Sequence, residues 1–411
     1  MKKSFVFVIY LMLITACTGE KTTTDDWSVN DFLKVDGKVI RNNAGKGNIV
    51  ALKGINLGGW LLREGWMDPI GFDYTSTNET LDDYTSRQIL IERFGEQATD
   101  EMLDIYQQIY IQESDLDLIQ SMGLNFVRVP FFWEEVMDRN GQMKPHGFNQ
   151  LDWVLEKAKE RKMYVIFDLH GAPGGHSDGY QTGGHLGSNE LWTNPVYQEW
   201  TVRIWQTIAG RYKEEPAVLG YDLLNEPVAS KESGMTIVDM YDRLYQVVRA
   251  IDPDHIILMG AFYSFDFLCD PAEKGWTNVV YQTHPYGADM RDNHEVQKGF
   301  MEGQLAYMKK YRDTWNLPVY AGEYNLWLHF DLWETWMNEL TKENMMWSSW
   351  TYKNIECSDV NNWGIYVCNE SPRPDVRRDS KEEILAKWEK FASSYYVKNE
   401  NLHRVIQQCA K

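Results

Sequence analysis

Short apolar runs that stop abruptly at a polar or breaking residue set the rhythm of this chain. The clearest is Leu219-Gly220-Tyr221-Asp222-Leu223-Leu224, which ends in Asn225-Glu226-Pro227. Proline cannot continue a hydrogen-bonded ladder, so Glu226 falls where a strand gives way to a loop. The run from Leu317 to Gly322 repeats the device and delivers Glu323. The same pattern predicts strands over Ile49–Asn56, Leu124–Pro130, Met163–His170, Val218–Leu224, Ile256–Met259, Val279–Thr283 and Met345–Trp350. Helical spacing falls between them, over Ala98–Met122, Leu151–Lys162, Pro195–Lys213, Thr236–Ile251, Val296–Trp315, Leu332–Thr341 and Glu382–Ser393. Eight strands alternating with helices predict an α/β fold whose parallel sheet closes on itself, a (β/α)8 TIM barrel. Phe32 to Ile40, with Asp36-Gly37 as its turn, predicts a small N-terminal β-hairpin plugging the barrel bottom. A doubly wound sheet would need a Gly-rich phosphate turn after its first strand, and Asn56-Leu57-Gly58-Gly59 does not supply one.

Composition narrows the partners. Hydrophobic residues make up 43% of the 411 residues, enough for one large core. The formal charge of −19, with no long basic run, argues against nucleic acid and anionic polysaccharide and suits a neutral substrate. Seventeen tryptophans fill the core and also offer uncharged stacking faces of the kind sugar rings use.

Lys2-Lys3 precede an apolar run from Phe5 to Ile14, too short to span a bilayer, followed by Ala16-Cys17. Ile14-Thr15-Ala16-Cys17 resembles a bacterial lipoprotein cleavage box, and the alternative is an ordinary secretory signal with an incidental cysteine. The lipoprotein reading divides the chain into a signal peptide (1–16), a tether (17–30) and a catalytic barrel (31–411). It makes Cys17 the lipidation site, with export and lipid anchoring at the bacterial outer membrane or cell surface, and no other membrane contact. Of the remaining cysteines, Cys357 and Cys368 would close a short loop if oxidised, and all four as free thiols is the alternative.

Polar residues collect at the predicted strand tips: Arg128, His170, Asn225 with Glu226, His284 and Tyr286, Glu323, and Trp350. In a parallel barrel those tips share one mouth. Two carboxyl groups there can divide the work of glycoside hydrolysis, one protonating the departing oxygen and one meeting the anomeric carbon. Glu226 would need a raised pKa, and Arg128 with Tyr286 could keep Glu323 ionised. These residues, in this order, resemble glycoside hydrolase family 5, which belongs to a clan of (β/α)8 retaining glycosidases. The resemblance implies Glu226 as acid/base, Glu323 as nucleophile, and Arg128, His170, Asn225, His284, Tyr286 and Trp350 as active-site partners. It also implies no metal and no cofactor.

Lys53-Gly54-Ile55-Asn56-Leu57-Gly58-Gly59-Trp60, with Glu64 beyond it, and Asp168-Leu169-His170-Gly171-Ala172-Pro173-Gly174-Gly175 resemble the branch containing fungal exo-β-1,3-glucanases. That branch implies that Glu64 binds the terminal sugar's hydroxyls and helps block the cleft. The loop from Gly71 to Thr85 matches no pattern. The expected substrate is therefore a neutral β-linked oligo- or polysaccharide attacked from its end, with endo-β-1,4-glucanase or mannanase action as the alternative. Two other readings remain: a metal-dependent barrel hydrolase using His170, His176, Asp178, His185 and His284, and a surface glycan-binding lipoprotein without catalysis.

Overall fold

A computed structural model describes residues 27–65, 67, 70–71, 81–184, 187–262, 264–355, 357 and 363–411. The expected signal segment, Cys17, His185 and much of the loop from Gly71 to Thr85 lie outside the described residues. Among the described residues, eight parallel strands close into a barrel: β3 (Lys53–Asn56), β4 (Phe126–Phe132), β5 (Tyr164–Gly171), β6 (Val218–Asp222), β7 (Ile256–Gly260), β8 (Val279–Thr283), β9 (Val319–Ala321) and β10 (Met346–Ser349). Each strand pairs with its sequence neighbours, and β10 pairs with β3 to complete the circle.

The N-terminal hairpin is present, with β1 (Lys34–Asp36) antiparallel to β2 (Val39–Arg41). Asp36 pairs with Val39, so the turn is Gly37-Lys38, one residue later than expected, and Gly37 takes φ +56° there. Leu33 and Ile40 sit on a buried cluster formed by Leu52, Phe126, Ile166, Leu219, Ile256, Leu258, Val280, Tyr320 and Met346. Most of these lie near the starts of their strands, so the hairpin plugs the barrel's lower end. Packing begins before residue 31, within the stretch assigned to the tether. The Trp27 indole donates to Lys159 O at 3.1 Å and meets the Tyr164 ring edge-on at 4.9 Å.

The outer helices follow their apolar spacing. The helix Ile237–Ile251 buries Met240, Tyr241, Leu244, Tyr245 and Val248 on one stripe. It starts at a capping box, in which Thr236 Oγ1 accepts from Asp239 N and Asp239 Oδ2 accepts from Thr236 N. The single helix expected over Ala98–Met122 is two helices, Glu96–Tyr110 and Glu113–Ser121. Gln112 lies extended between them, and its N–H donates to the Asp115 carboxylate at 2.8 Å, starting the second helix. The helix Asp83–Phe94 falls where no pattern was legible. Its buried face carries Asp83, Ser86 and Arg87 beside Ile89 and Leu90, because Asp83 is bonded to Arg63 and Arg87 inside the protein. The C-terminal helix Glu400–Ala410, and a two-stranded ribbon of β11 (Tyr366–Val367) with β12 (Val397–Lys398), were also not foreseen. Cys357 and Cys368 are disulfide-bonded, while Cys269 and Cys409 are free.

The plug is at the opposite end of the barrel from the strand tips. Leu33→Ala should cost about 2–3 kcal/mol in denaturant unfolding while leaving any activity seated at the strand tips within about twofold of the parent. A loss of activity without loss of stability would contradict this separation of the two ends.

Candidate active site

Arg128 stands at the centre of the barrel mouth, fully buried in β4. Its Nε donates to Asp222 Oδ2 at 2.9 Å, Nη1 to Glu323 Oε1 at 2.8 Å and to Asn56 Oδ1 at 3.0 Å, and Nη2 to Asn225 Oδ1 at 2.9 Å. Nη2 is also 3.0 Å from Asp168 Oδ2. Strand alternation explains the set: Asp168 and His170 are two apart on β5 and share a face, as do Gln282 and His284 at the end of β8.

Glu323 lies two residues beyond β9. Its second oxygen accepts the Tyr286 hydroxyl at 2.8 Å, so each of its carboxylate oxygens is held by one donor, Arg128 or Tyr286. Burial, reinforced by the Glu323 charge, holds the Tyr286 phenol far above its ordinary range, so it remains a proton donor. Glu226 lies four residues beyond β6 with φ +47°, a left-handed backbone unusual for a residue with a side chain. The surroundings fix it there. Trp205 Nε1 donates to Leu223 O, the Tyr241 hydroxyl to Leu224 O, and Val228 N to His176 O. Burial pushes the Glu226 carboxyl up to about 8, with Arg128 and a Gln181 hydrogen bond pulling the other way. Its Oε1 is 2.7 Å from His284 Nδ1.

An oxygen of Glu226 and one of Glu323 lie within 4.8 Å of each other, with His284 between them. That trio has the donor types of a metal site, but its atoms are already committed. Glu323 is occupied by Arg128 and Tyr286, and Glu226 is held in its protonated form near neutrality, which makes it a poor ligand. The other cluster of this kind, Cys357, Cys368 and Glu370, has its two sulfurs joined in the disulfide. His176, an imagined ligand, is committed on both nitrogens, accepting from Ala172 N at Nδ1 and bonding Asn225 O at Nε2.

The remaining residues singled out from sequence also converge. His170 Nδ1 is 2.6 Å from Asp168 Oδ2 and its Nε2 is 3.1 Å from Asn225 Nδ2. Burial keeps its pKa well below the usual value, so it is a neutral ring. Trp350, the residue after β10, stacks on that ring at 5.3 Å and 14° and is 2% exposed. Glu64 is buried in the loop after β3, and its charge reaches the Tyr286 hydroxyl. Neighbouring Arg63 anchors it through a bond from Arg63 N to Asp83 Oδ2.

Sequence reasoning missed Asn56, Asp168, Asp222 and Gln282 as working parts of the site, although the two-residue spacing to His170 and His284 marks Asp168 and Gln282. It also missed Trp363, whose ring packs on Tyr286 at 5.6 Å and on Trp327 at 4.9 Å. Trp363 comes from an irregular segment, where no periodic signal exists.

Comparison with known proteins agrees with this geometry. The model of the family described as cellulase (glycosyl hydrolase family 5) matches residues 83–356. A β-xylosidase from Phanerodontia chrysosporium is 25% identical over 404 residues, covering 92% of this chain and 80% of that protein. A probable glucan 1,3-β-glucosidase A from Aspergillus fumigatus is 29% identical over 283 residues, covering 67% of this chain and 65% of its own length, just under two thirds. The crystal structure of endoglucanase Cel5A from Thermotoga maritima superposes with a TM-score of 0.53 at 19% identity, over 82% of this chain and 96% of that one, and shares the fold. With its eight-stranded barrel and the family match over two thirds of its length, this chain belongs to glycosyl hydrolase family 5 and is a glycoside hydrolase.

Proposed function

We propose that this hydrolase is a retaining β-glycosidase in which Glu323 is the nucleophile and Glu226 the acid/base. The single observation that carries the reading is the separation of the two carboxyl groups at the barrel mouth, within 4.8 Å oxygen to oxygen. Inverting enzymes hold a water between carboxyl groups roughly 6.5–9.5 Å apart, whereas retaining ones bring them to roughly 5 Å. In the first step the Glu323 carboxylate bonds to the anomeric carbon as the glycosidic C–O bond breaks, and Glu226 gives its proton to the departing oxygen. In the second, Glu226 takes a proton from water. The water oxygen bonds to the anomeric carbon, and the bond to Glu323 breaks. Asn225 has one amide hydrogen directed at His170, and its second, unengaged among the described residues, is our candidate donor to the sugar's 2-hydroxyl.

The substrate we infer is a neutral β-glucan degraded from its end, a β-1,3-glucosidase type of activity. Support comes from the glucan 1,3-β-glucosidase relatives and from buried Glu64, whose charge acts on Tyr286 and which is our candidate for binding a terminal sugar's hydroxyls. A second reading, β-xylosidase, is favoured by the breadth of the match to the Phanerodontia chrysosporium enzyme. We further propose export and lipid anchoring at Cys17, on the strength of the N-terminal sequence alone.

Four outcomes test these proposals. Glu323→Ala should lower kcat by roughly 10³-fold or more on every substrate, whereas Glu226→Ala should lower kcat/KM by about 10²–10⁴-fold on poor leaving groups and little on activated aryl glycosides. In the parent, kcat/KM should fall above about pH 8 as Glu226 loses its proton. Equal losses on both substrate kinds would remove the acid role. A panel of β-1,3-, β-1,4- and mixed-linkage glucans, β-mannan and aryl β-xylosides should show glucose released first from β-1,3-glucan. Release of xylose alone would turn the assignment to the second reading. Cells fed an alkynyl fatty acid should label the parent chain but not Cys17→Ala, and an unlabelled parent would refute the anchor.

A further inference from the structure

Buried beneath the two carboxyl groups is a chain of polar atoms that the mechanism above leaves unused. Asp222 Oδ2 receives Arg128 Nε at 2.9 Å, and Asp222 Oδ1 receives the Gln282 side-chain amide. Gln282 Oε1 is 3.4 Å from His284 Nε2, and His284 Nδ1 is 2.7 Å from Glu226 Oε1. The direction of every bond in this chain follows from its first member. A carboxylate offers only lone pairs, so Gln282 must turn its NH₂ toward Asp222 and its carbonyl oxygen toward His284. The reversed amide would set an oxygen against the Asp222 carboxylate. The Gln282 carbonyl also only accepts, so His284 must carry its hydrogen on Nε2. In the neutral ring its Nδ1 is then a bare lone pair, and a lone pair 2.7 Å from a carboxyl oxygen requires a proton on that oxygen.

We propose that Gln282 is a positioning residue that fixes His284 as its Nε2–H tautomer, so that His284 Nδ1 accepts a hydrogen bond from the Glu226 carboxyl and holds the acid in its protonated form. The proposal rests on the reading of Glu226 as the acid. Packing supports it. Gln282 is 2% exposed, and the backbone of Gly322 covers the contact so closely that a Cβ there would lie 2.5 Å from Gln282 Oε1 and 2.8 Å from His284 Nε2. Burial also holds His284 down to about 4, which keeps the ring neutral when the enzyme works. The opposite assignment holds on the other side of the mouth. There His170 donates from Nδ1 to Asp168 and accepts from Asn225 at Nε2. The two buried histidines therefore carry their hydrogens on different nitrogens, each set by the acceptor beneath it. The charged and titratable groups facing this chain are Arg128 from β4, Asp168 and His170 from β5, Asp222 from β6, Tyr241 from the helix Ile237–Ile251, Tyr286 after β8, Tyr320 from β9, Glu323 after it and Glu64 from the loop after β3.

The test reads the tautomer directly. Long-range ¹⁵N–¹H correlation spectra of the ¹⁵N-histidine-labelled full chain, with His284 assigned by difference from His284→Gln, should show the Nε2–H form at pH 7. An Nδ1–H signal overturns the proposal without any variant of Gln282. Gln282→Met keeps the volume and removes both bonds. It should shift His284 toward Nδ1–H, which donates to the Glu226 carboxylate and favours its ionised form. The basic limb of kcat/KM on a substrate with a poor leaving group should then move down by about one pH unit, roughly a fivefold extra loss at pH 8 relative to pH 5. An unmoved limb in folded Gln282→Met protein overturns the proposal, because a merely structural glutamine would lower stability and leave the limb in place. Persistence of the parent's limb in Glu226→Ala would instead overturn the assignment of the acid, and the tautomer measurement still decides the role of Gln282.

Discussion

A single buried guanidinium organises the mouth of this barrel. Arg128 has no access to solvent and spends all its donors on side chains from four strands or the loops that follow them. An ion so placed is tolerable only with its hydrogen bonds complete and its charge met. Three carboxyl groups meet it, and they are unequal. Glu323 stands at the open side with a phenol on its other oxygen, whereas Asp168 and Asp222 lie below, where burial raises both above the ordinary carboxylate range. The same arginine thus orients Glu323 directly and, through Asp222 and Gln282, reaches the histidine beside Glu226.

The strained backbone at Glu226 belongs to the same scheme. A positive φ at a side-chain-bearing residue costs of the order of 1 kcal/mol or more, and it survives because the carbonyls and amide on either side are tied to a tryptophan, a tyrosine and the loop after β5. What this arrangement gains is direction. The carboxyl is turned away from solvent, toward the imidazole and the second glutamate, and the loss of hydration there is what raises its affinity for a proton.

Much of this was legible because the barrel writes its active site at the ends of apolar runs. Val279–Thr283 coincides with the strand read from sequence, and Glu226, Glu323, Arg128, His170, Asn225, His284, Tyr286, Glu64 and Trp350 are brought together as their positions implied. The failures have a common physical origin. The helix Asp83–Phe94 buries an aspartate and an arginine that satisfy each other and Arg63, so its inward face does not look apolar and periodicity cannot find it. The break at Ile111-Gln112 is decided by an N-terminal cap rather than by hydrophobic spacing. Trp363 arrives from irregular chain, where only the fold brings it onto Tyr286. Polar residues buried within strands, such as Asp222 and Gln282, look like imperfections in an apolar pattern until the third dimension shows what they bond.

The seat of Trp27 has a bearing on how the enzyme meets its substrate. This indole is clamped against the start of β5, and the Asp31 carbonyl accepts the Tyr164 hydroxyl nearby, so residue 27 sits on the face opposite the barrel mouth. Any upward pull on residue 27 from a surface would orient the molecule like a cup standing on its base. A glycan approaching from the medium would then find the opening unobstructed by whatever the base stands on.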